Sequence, residues 1–181
     1  MGNCHTDTII DIINTHKVSK FAEIGVWKSK TTRKILKYCP SIKEYWAVDQ
    51  WQTLPEGFGH MSRRTKEDWD NLHQFACTLC LYYPQLKIIR SQSVPSAEIF
   101  PAGYFDMVYI DADHRYETVK ADIGAWRSKI RSGGYLSGHD YGSSRHGGVK
   151  QAVDEIFLTE NKISQNNIKI LTDQVWVTTL L

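Results

Sequence analysis

The run FDMVYIDADH at residues 105–114 constrains the fold more than any other stretch. Its apolar residues, Met107 to Ile110, stop abruptly at Asp111, Asp113 and His114. A short apolar run bounded by polar residues is the pattern of a strand buried on both faces, as in a parallel sheet. A helix-like stretch follows, with Val119, Ile123, Trp126 and Ile130 inward. Gly133, Gly134, a second apolar run at 135–137 and another polar pair, His139 and Asp140, come next. Two parallel strands of this kind present ionisable groups to one crevice at their C-terminal ends, the edge where open α/β sheets bind ligands.

The rest of the chain alternates in the same way. Ile9, Ile10, Ile12 and Ile13 form a helix stripe at 6–15 with Thr6 or Asp7 as N-cap. A strand at 21–25 runs into Gly25, a helix spans 31–38 before Pro40, and a strand at 45–48 ends in Asp49. Residues 50–61, with Pro55, Gly57 and Gly59, read as a lid or substrate loop. A helix at 63–82 follows, with Trp69, Leu72, Phe75 or Ala76, and Leu79 on one face. Then come a strand at 86–89, a short helix between Pro95 and Pro101, a helix at 149–158 and a hairpin of 168–171 with 175–178. Strands alternating with helices up to a terminal hairpin imply a parallel sheet with one antiparallel strand. At 181 residues the expectation is a single domain, 1–181, with an N-terminal helix in 1–19 and the core in 20–181.

Composition narrows the partners. A net charge of +2 is too small to argue for nucleic acid or an anionic membrane. No apolar run approaches the roughly 20 residues of a membrane span. Cys77 and Cys80 have CxxC spacing, with no second pair or nearby His to complete a zinc site. They read as buried, reduced core cysteines in a cytoplasmic protein. The start, MGNCHT, fits an N-myristoylation pattern at Gly2 with Cys4 beside it, a match that six residues often make by chance. His60, His146, Arg63 and Arg64 are weaker candidates, His146 bordering the crevice. The oligomeric state is open, a homodimer being one expectation.

The chemistry-bearing residues cluster at strand ends. Gly25 stands without the further glycines of GxGxxG, which disfavours a dinucleotide pyrophosphate. A ligand with a carboxylate and an amine fits better: Glu23 faces an ammonium, and the helix N-terminus near Thr31 and Thr32 a carboxylate. Asp49 stands where an acid takes both ribose hydroxyls of a nucleoside. Trp51 either packs on an adenine or belongs to the core. Asp111, His139 and Asp140 suit a divalent cation, imidazole shifting the preference from Mg2+ toward Mn2+, Zn2+ or Fe2+. Such an ion lowers the pKa of a substrate hydroxyl, and His114 is suited to be the base. Asp113 reads as the N-cap of the following helix.

The blocks EIGVWKS, AVDQW, FDMVYIDADHRYETVKADI, GGYLSGHDY and GVKQAVDEIF together resemble the class I S-adenosylmethionine-dependent methyltransferases. More narrowly, they resemble the small-molecule and sugar O-methyltransferases with IDGDHSYE-like and GGxLxGHD-like strand ends. The resemblance covers roughly residues 20 to 158. It implies a Rossmann-like α/β fold of seven strands in the order 3-2-1-4-5-7-6, the last antiparallel. It implies S-adenosylmethionine as cofactor, with Glu23 and Gly25 at its methionine part, Asp49 on its ribose and Gln92 and Ser93 beside its adenine. Thr31, Gln50, Trp51 and Asp111 complete the expected cofactor-binding set. It further implies Mg2+ or Mn2+ at Asp111, His139 and Asp140, catalysis by His114 with Asp111, and a sugar, glycan or small-molecule hydroxyl as acceptor. The chain departs from the pattern at Lys28 and Ser29, at Gln92, and at His139, where relatives often carry an acid. The rivals are a nicotinamide-dependent oxidoreductase, and a nucleic-acid methyltransferase or binding module using Arg63, Arg64 and Lys66.

Overall fold

The computed structural model describes residues 4–53, 61–159 and 168–180. Gly2, His60 and most of the expected lid loop lie outside them. The strands are β1 (Lys20–Ile24), β2 (Glu44–Asp49), β3 (Leu86–Arg90), β4 (Phe105–Ile110), β5 (Ile130–Gly138), β6 (Lys169–Ile170) and β7 (Trp176–Thr179). They form one sheet in the order β3-β2-β1-β4-β5-β7-β6. β1 to β5 pair in parallel, and β7 is antiparallel to both β5 and β6, as expected.

The helices are α1 (His5–His16), α2 (Lys30–Tyr38), α3 (Lys66–Leu79), α4 (Ser93–Ala97), α5 (Tyr116–Arg127) and α6 (Gly147–Asp154), the last continued by a π-helical turn, Glu155–Thr159. Alternate residues of each central strand feed two cores. Phe21, Tyr45, Met107 and Tyr109 meet Ile9, Ile13, Ile35 and Trp69 on one face. Ala22, Ile24, Val108 and Ile110 meet Val119, Ile123, Trp126 and Val153 on the other. Each Val, Ile, Phe or Met side chain among them contributes about 1.5–3 kcal/mol by its burial. Ile9 and Ile13 are fully buried, so α1 is part of the core and not an appendage.

Several local expectations change. α1 is capped by Cys4 and not by Thr6 or Asp7: Asp7 sits at the third helical position and accepts the Cys4 N–H at 3.3 Å. α3 begins at Lys66, because Thr65 and Asp68 form a reciprocal capping box there. Ile130 belongs to β5 and not to the preceding helix. α5 starts at Tyr116 with Arg115 as cap, so Asp113 is not its N-cap. Asp113 instead accepts the Arg115 N–H and the Thr118 hydroxyl and so braces the turn that enters α5. The CxxC cysteines are not core: Trp69, Ala76 and Leu79 take the buried stripe of α3, leaving Cys77 exposed and Cys80 half-buried. His73 is in fact near, its Nε2 lying 3.4 Å from the Cys77 sulfur.

The register sets up the site. Ile24 pairs with Ile110 and Ile110 with Gly138, so Gly25, Asp111 and His139 emerge side by side. The ladder continues one step further, Asp111 N–H donating to the Ile24 carbonyl at 2.7 Å and His139 N–H to that of Ile110 at 3.2 Å. Gly25, at φ +93°, passes so close to β4 that a Cβ would lie 2.2 Å from the Asp111 carbonyl oxygen. Only glycine fits there.

Candidate active site

At the β1–β2 side, acids are tied to the protein itself. Glu23 is 1% exposed and accepts the Thr32 hydroxyl at 2.5 Å and the Tyr45 hydroxyl at 2.6 Å. Burial pushes its carboxyl up to about 8 against these two donors, with Asp111 and Asp49 adding to the rise. The partners it shows are therefore hydroxyls and not an ammonium. Asp49 Oδ2 accepts the N–H groups of Val26 and Trp27 at 2.9 and 2.8 Å, and Oδ1 that of Trp51 at 2.8 Å. It staples two turns in which Trp27, Ser29 and Trp51 all have positive φ. A carboxylate oxygen accepts two hydrogen bonds, so Oδ1 keeps room for one more.

Trp51 belongs to the core: it is fully buried and its indole N–H donates to the Trp27 carbonyl at 3.0 Å. The Thr31 hydroxyl faces α1, 3.4 Å from that of Thr6 and 3.5 Å from His5 Nε2. Gln50 accepts the Gln52 amide. Gln92, exposed, caps α4, and the Ser93 hydroxyl accepts the Trp126 indole N–H at 2.9 Å. Arg64 lies 5.8 Å from the rings of both Trp27 and Trp69, packed within the protein and not displayed to a nucleic acid.

At the β4–β5 side, the four expected groups converge. His114 Nε2 lies 2.8 Å from Asp140 Oδ2 and 3.7 Å from Asp111 Oδ1. His139 Nδ1 lies 3.3 Å from Asp140 Oδ2 and 3.7 Å from Asp111 Oδ1. Asp140 reaches this position with φ +60°, unusual for a residue with a Cβ and tolerated best by Asn and Asp. Burial acts against charge on all four, yet the pairing wins. His114 and His139 are raised to about 9 and about 10, Asp111 is held at about 2, and Asp140 is held well below the carboxylate range.

Two further histidines flank the centre. His5, from the first turn of α1, packs on His139 with ring centroids 4.3 Å apart. His146 stacks on His114 at 4.1 Å. Gly148 holds the His146 segment in place, since a Cβ there would meet the His114 carbonyl oxygen at 2.6 Å. The sequence reading placed His146 at the rim and missed His5. A single His in a first helical turn has no periodicity to mark it, and only the docking of α1 over the sheet edge shows its place.

A divalent cation fits this donor set. One oxygen each from Asp111 and Asp140 and one nitrogen of His139 lie within 4.8 Å of one another, as do atoms of His114, Asp140 and His146. His114 Nε2 is buried 2.8 Å from Asp140 Oδ2, an ion-pair contact without an aligned hydrogen bond.

Comparison with known proteins gives the family. A family model described as a methyltransferase domain matches residues 22–141. The chain belongs to that family and is a methyltransferase. No curated protein sequence matches it significantly. Among solved structures, a candidate caffeoyl-CoA O-methyltransferase from Staphylococcus aureus superposes with TM-score 0.65 at 15% identity, over 100% of this chain and 85% of that one. The O-methyltransferase NovP gives TM-score 0.64 at 17% identity, over 97% and 78%. Spermidine synthase from Thermotoga maritima gives 0.55 at 17%, over 97% and 58%. Likeness this distant fixes the fold alone, and the last neighbour shows that the fold also carries other chemistry. Among the described residues no helix is long and apolar enough to cross a membrane.

Proposed function

We propose that the chain moves a methyl group from S-adenosylmethionine to a hydroxyl oxygen of a small molecule. The observation that carries this reading is the convergence of Asp111, His114, His139 and Asp140 at the adjacent ends of β4 and β5. When bound, S-adenosylmethionine supplies a methyl group that passes to the attacking oxygen as the carbon–sulfur bond breaks. The chain's share is alignment, exclusion of water and proton removal.

The cofactor crevice runs along β1 and β2. Gly25 leaves the backbone bare beside Asp111, and Asp49 keeps one acceptor position for a ribose hydroxyl. His114 takes the acceptor's proton. It can do so only when neutral, and Asp111 with Asp140 hold it protonated near pH 7. A positive charge held by those carboxylates removes the cause, so cation and base belong to one device. Asp111, His139 and Asp140 would hold the ion, which lowers the pKa of a hydroxyl beside it.

A sugar or glycan hydroxyl is our first choice of acceptor, on the sequence resemblance alone, and a catechol-like phenol the second. The names of the O-methyltransferase neighbours support an oxygen acceptor. Four free cysteines fit a cytoplasmic protein. Calorimetric titration with S-adenosylhomocysteine and with NADH tests the cofactor: the first binds and the second does not. A methyl-transfer screen over glycans and phenols, with and without chelator, tests the rest. Turnover indifferent to chelation and metal add-back removes the ion from the mechanism.

A further inference from the structure

His139 is held by more than the two aspartates. Its Nε2 lies 2.9 Å from the backbone carbonyl oxygen of Asp173. A carbonyl can only accept, so Nε2 carries the proton and Nδ1 is the atom turned to Asp140 and Asp111. The carbonyl comes from a costly turn. Asp173 and Gln174, in the link between β6 and β7, both sit at left-handed φ, +55° and +61°. Consecutive residues with a Cβ seldom take that conformation, and where they do the surrounding structure must hold them. Here the Gln174 carbonyl accepts the Tyr141 N–H at 3.0 Å, so successive carbonyls strap both sides of Asp140. The Thr172 hydroxyl meets that of Thr8 on α1 at 3.0 Å, and the same helix brings His5 against the His139 ring.

We infer that this turn is a positioning device that presets His139 as a cation donor through Nδ1, so that the centre selects a divalent transition ion over Mg2+. The inference rests on the cation site proposed above. A ring nitrogen fixed by a hydrogen bond from its other nitrogen to a carbonyl is how imidazole ligands are oriented, and losing such a partner weakens metal binding about 10- to 100-fold. An imidazole donor favours borderline ions, whereas Mg2+ prefers oxygen. Asp173 thus acts through its main chain, and its side-chain identity matters only for the turn.

Mn2+ is the probe. The full chain, stripped with chelator, is titrated with Mn2+ by electron paramagnetic resonance and with Mg2+ in competition. We expect Mn2+ at least about 10-fold tighter than Mg2+, with imidazole-nitrogen modulation of the bound Mn2+ echo. The His139→Asp variant loses the modulation and narrows the gap. Asp173→Pro, which cannot adopt positive φ, weakens Mn2+ about 10- to 100-fold while S-adenosylhomocysteine binding stays as it was, and Asp173→Gly keeps both. Bound Mn2+ without nitrogen modulation in the wild type overturns the inference, and so does modulation that survives in His139→Asp. A folded Asp173→Pro with unchanged Mn2+ affinity overturns the role of the turn. If Asp173→Pro does not fold, the wild-type echo and His139→Asp still decide. Failure to bind S-adenosylhomocysteine beside nitrogen-coupled Mn2+ would sink the methyltransferase chemistry proposed above and leave this inference standing.

Discussion

The two halves of the sheet edge use acids in opposite ways. At β1–β2, Glu23 and Asp49 are satisfied by groups fixed in the fold: two hydroxyls and three backbone N–H groups. At β4–β5, Asp111 and Asp140 face His114 and His139, charged partners that a cation or an acceptor displaces on the function proposed above. The first arrangement builds a rigid seat, and the second stores charge for use. Mutations in the first half should therefore register mainly in stability and those in the second mainly in turnover.

The largest expected effect lies in the second half. His114→Ala should lower turnover about 10^2- to 10^4-fold, the usual contribution of a positioned general base. S-adenosylhomocysteine affinity should barely move, and the melting temperature should fall by no more than a few degrees. A variant that keeps full turnover while binding the cofactor removes His114 from the chemistry.

Next come the seat residues. Asp49→Ala orphans three N–H groups in turns that already carry positive φ, and should cost about 3 kcal/mol in urea unfolding. Gly25→Ala drives a Cβ into the Asp111 carbonyl and should cost as much, about 3–4 kcal/mol. If either proves neutral to stability and damages only turnover, the contrast between the halves is wrong.

The same contrast explains what could be read from the sequence. Asp111, His114, His139 and Asp140 were legible as neighbours because strand ends are marked by abrupt apolar-to-polar switches, whereas the sheet order came with the family resemblance. Asp49 was legible as a strand-end acid, but its bonds to Val26 and Trp27 were not, since they depend on turn geometry. Trp51 reads equally as stacking platform or core until its burial is seen. Asp113 and the CxxC pair were misplaced because α5 starts later, and α3 faces differently, than residue spacing suggests. His5 and the Asp173 carbonyl were invisible. The first is brought in by tertiary docking of α1, and the second is a main-chain group that every residue carries.

A smaller effect should appear with pH. In protein kept free of metal, His114 and His139 are raised from an ordinary value of 6.5 to about 9 and about 10. A raised histidine binds its proton more tightly when folded. Its stabilisation is therefore complete below about 6.5 and is lost as pH climbs through 9 to 10. The melting temperature should fall across that window by on the order of 5 °C, at roughly 2–4 °C per kcal/mol for a chain of this size. A flat profile from pH 6.5 to 10 would show that the histidine–aspartate contacts do not hold in solution.

The smallest effect belongs to Glu23, and it separates the halves by pH window. Its carboxyl is also raised, from 4.5 to about 8, but as an acid it is favoured in the neutral form. The folded state then holds a proton that the unfolded state releases above about 4.5, so stability declines from there and levels off above 8. Glu23→Gln keeps an oxygen for Thr32 and Tyr45 and has no proton to lose. It should remove the decline between 4.5 and 8, leave that between 6.5 and 10, and gain about 1 kcal/mol in urea unfolding at pH 9. Loss of stability in Glu23→Gln at pH 9 would mean that the fold favours the charged carboxylate over a neutral group, and that β1 carries an acid with a cationic partner after all.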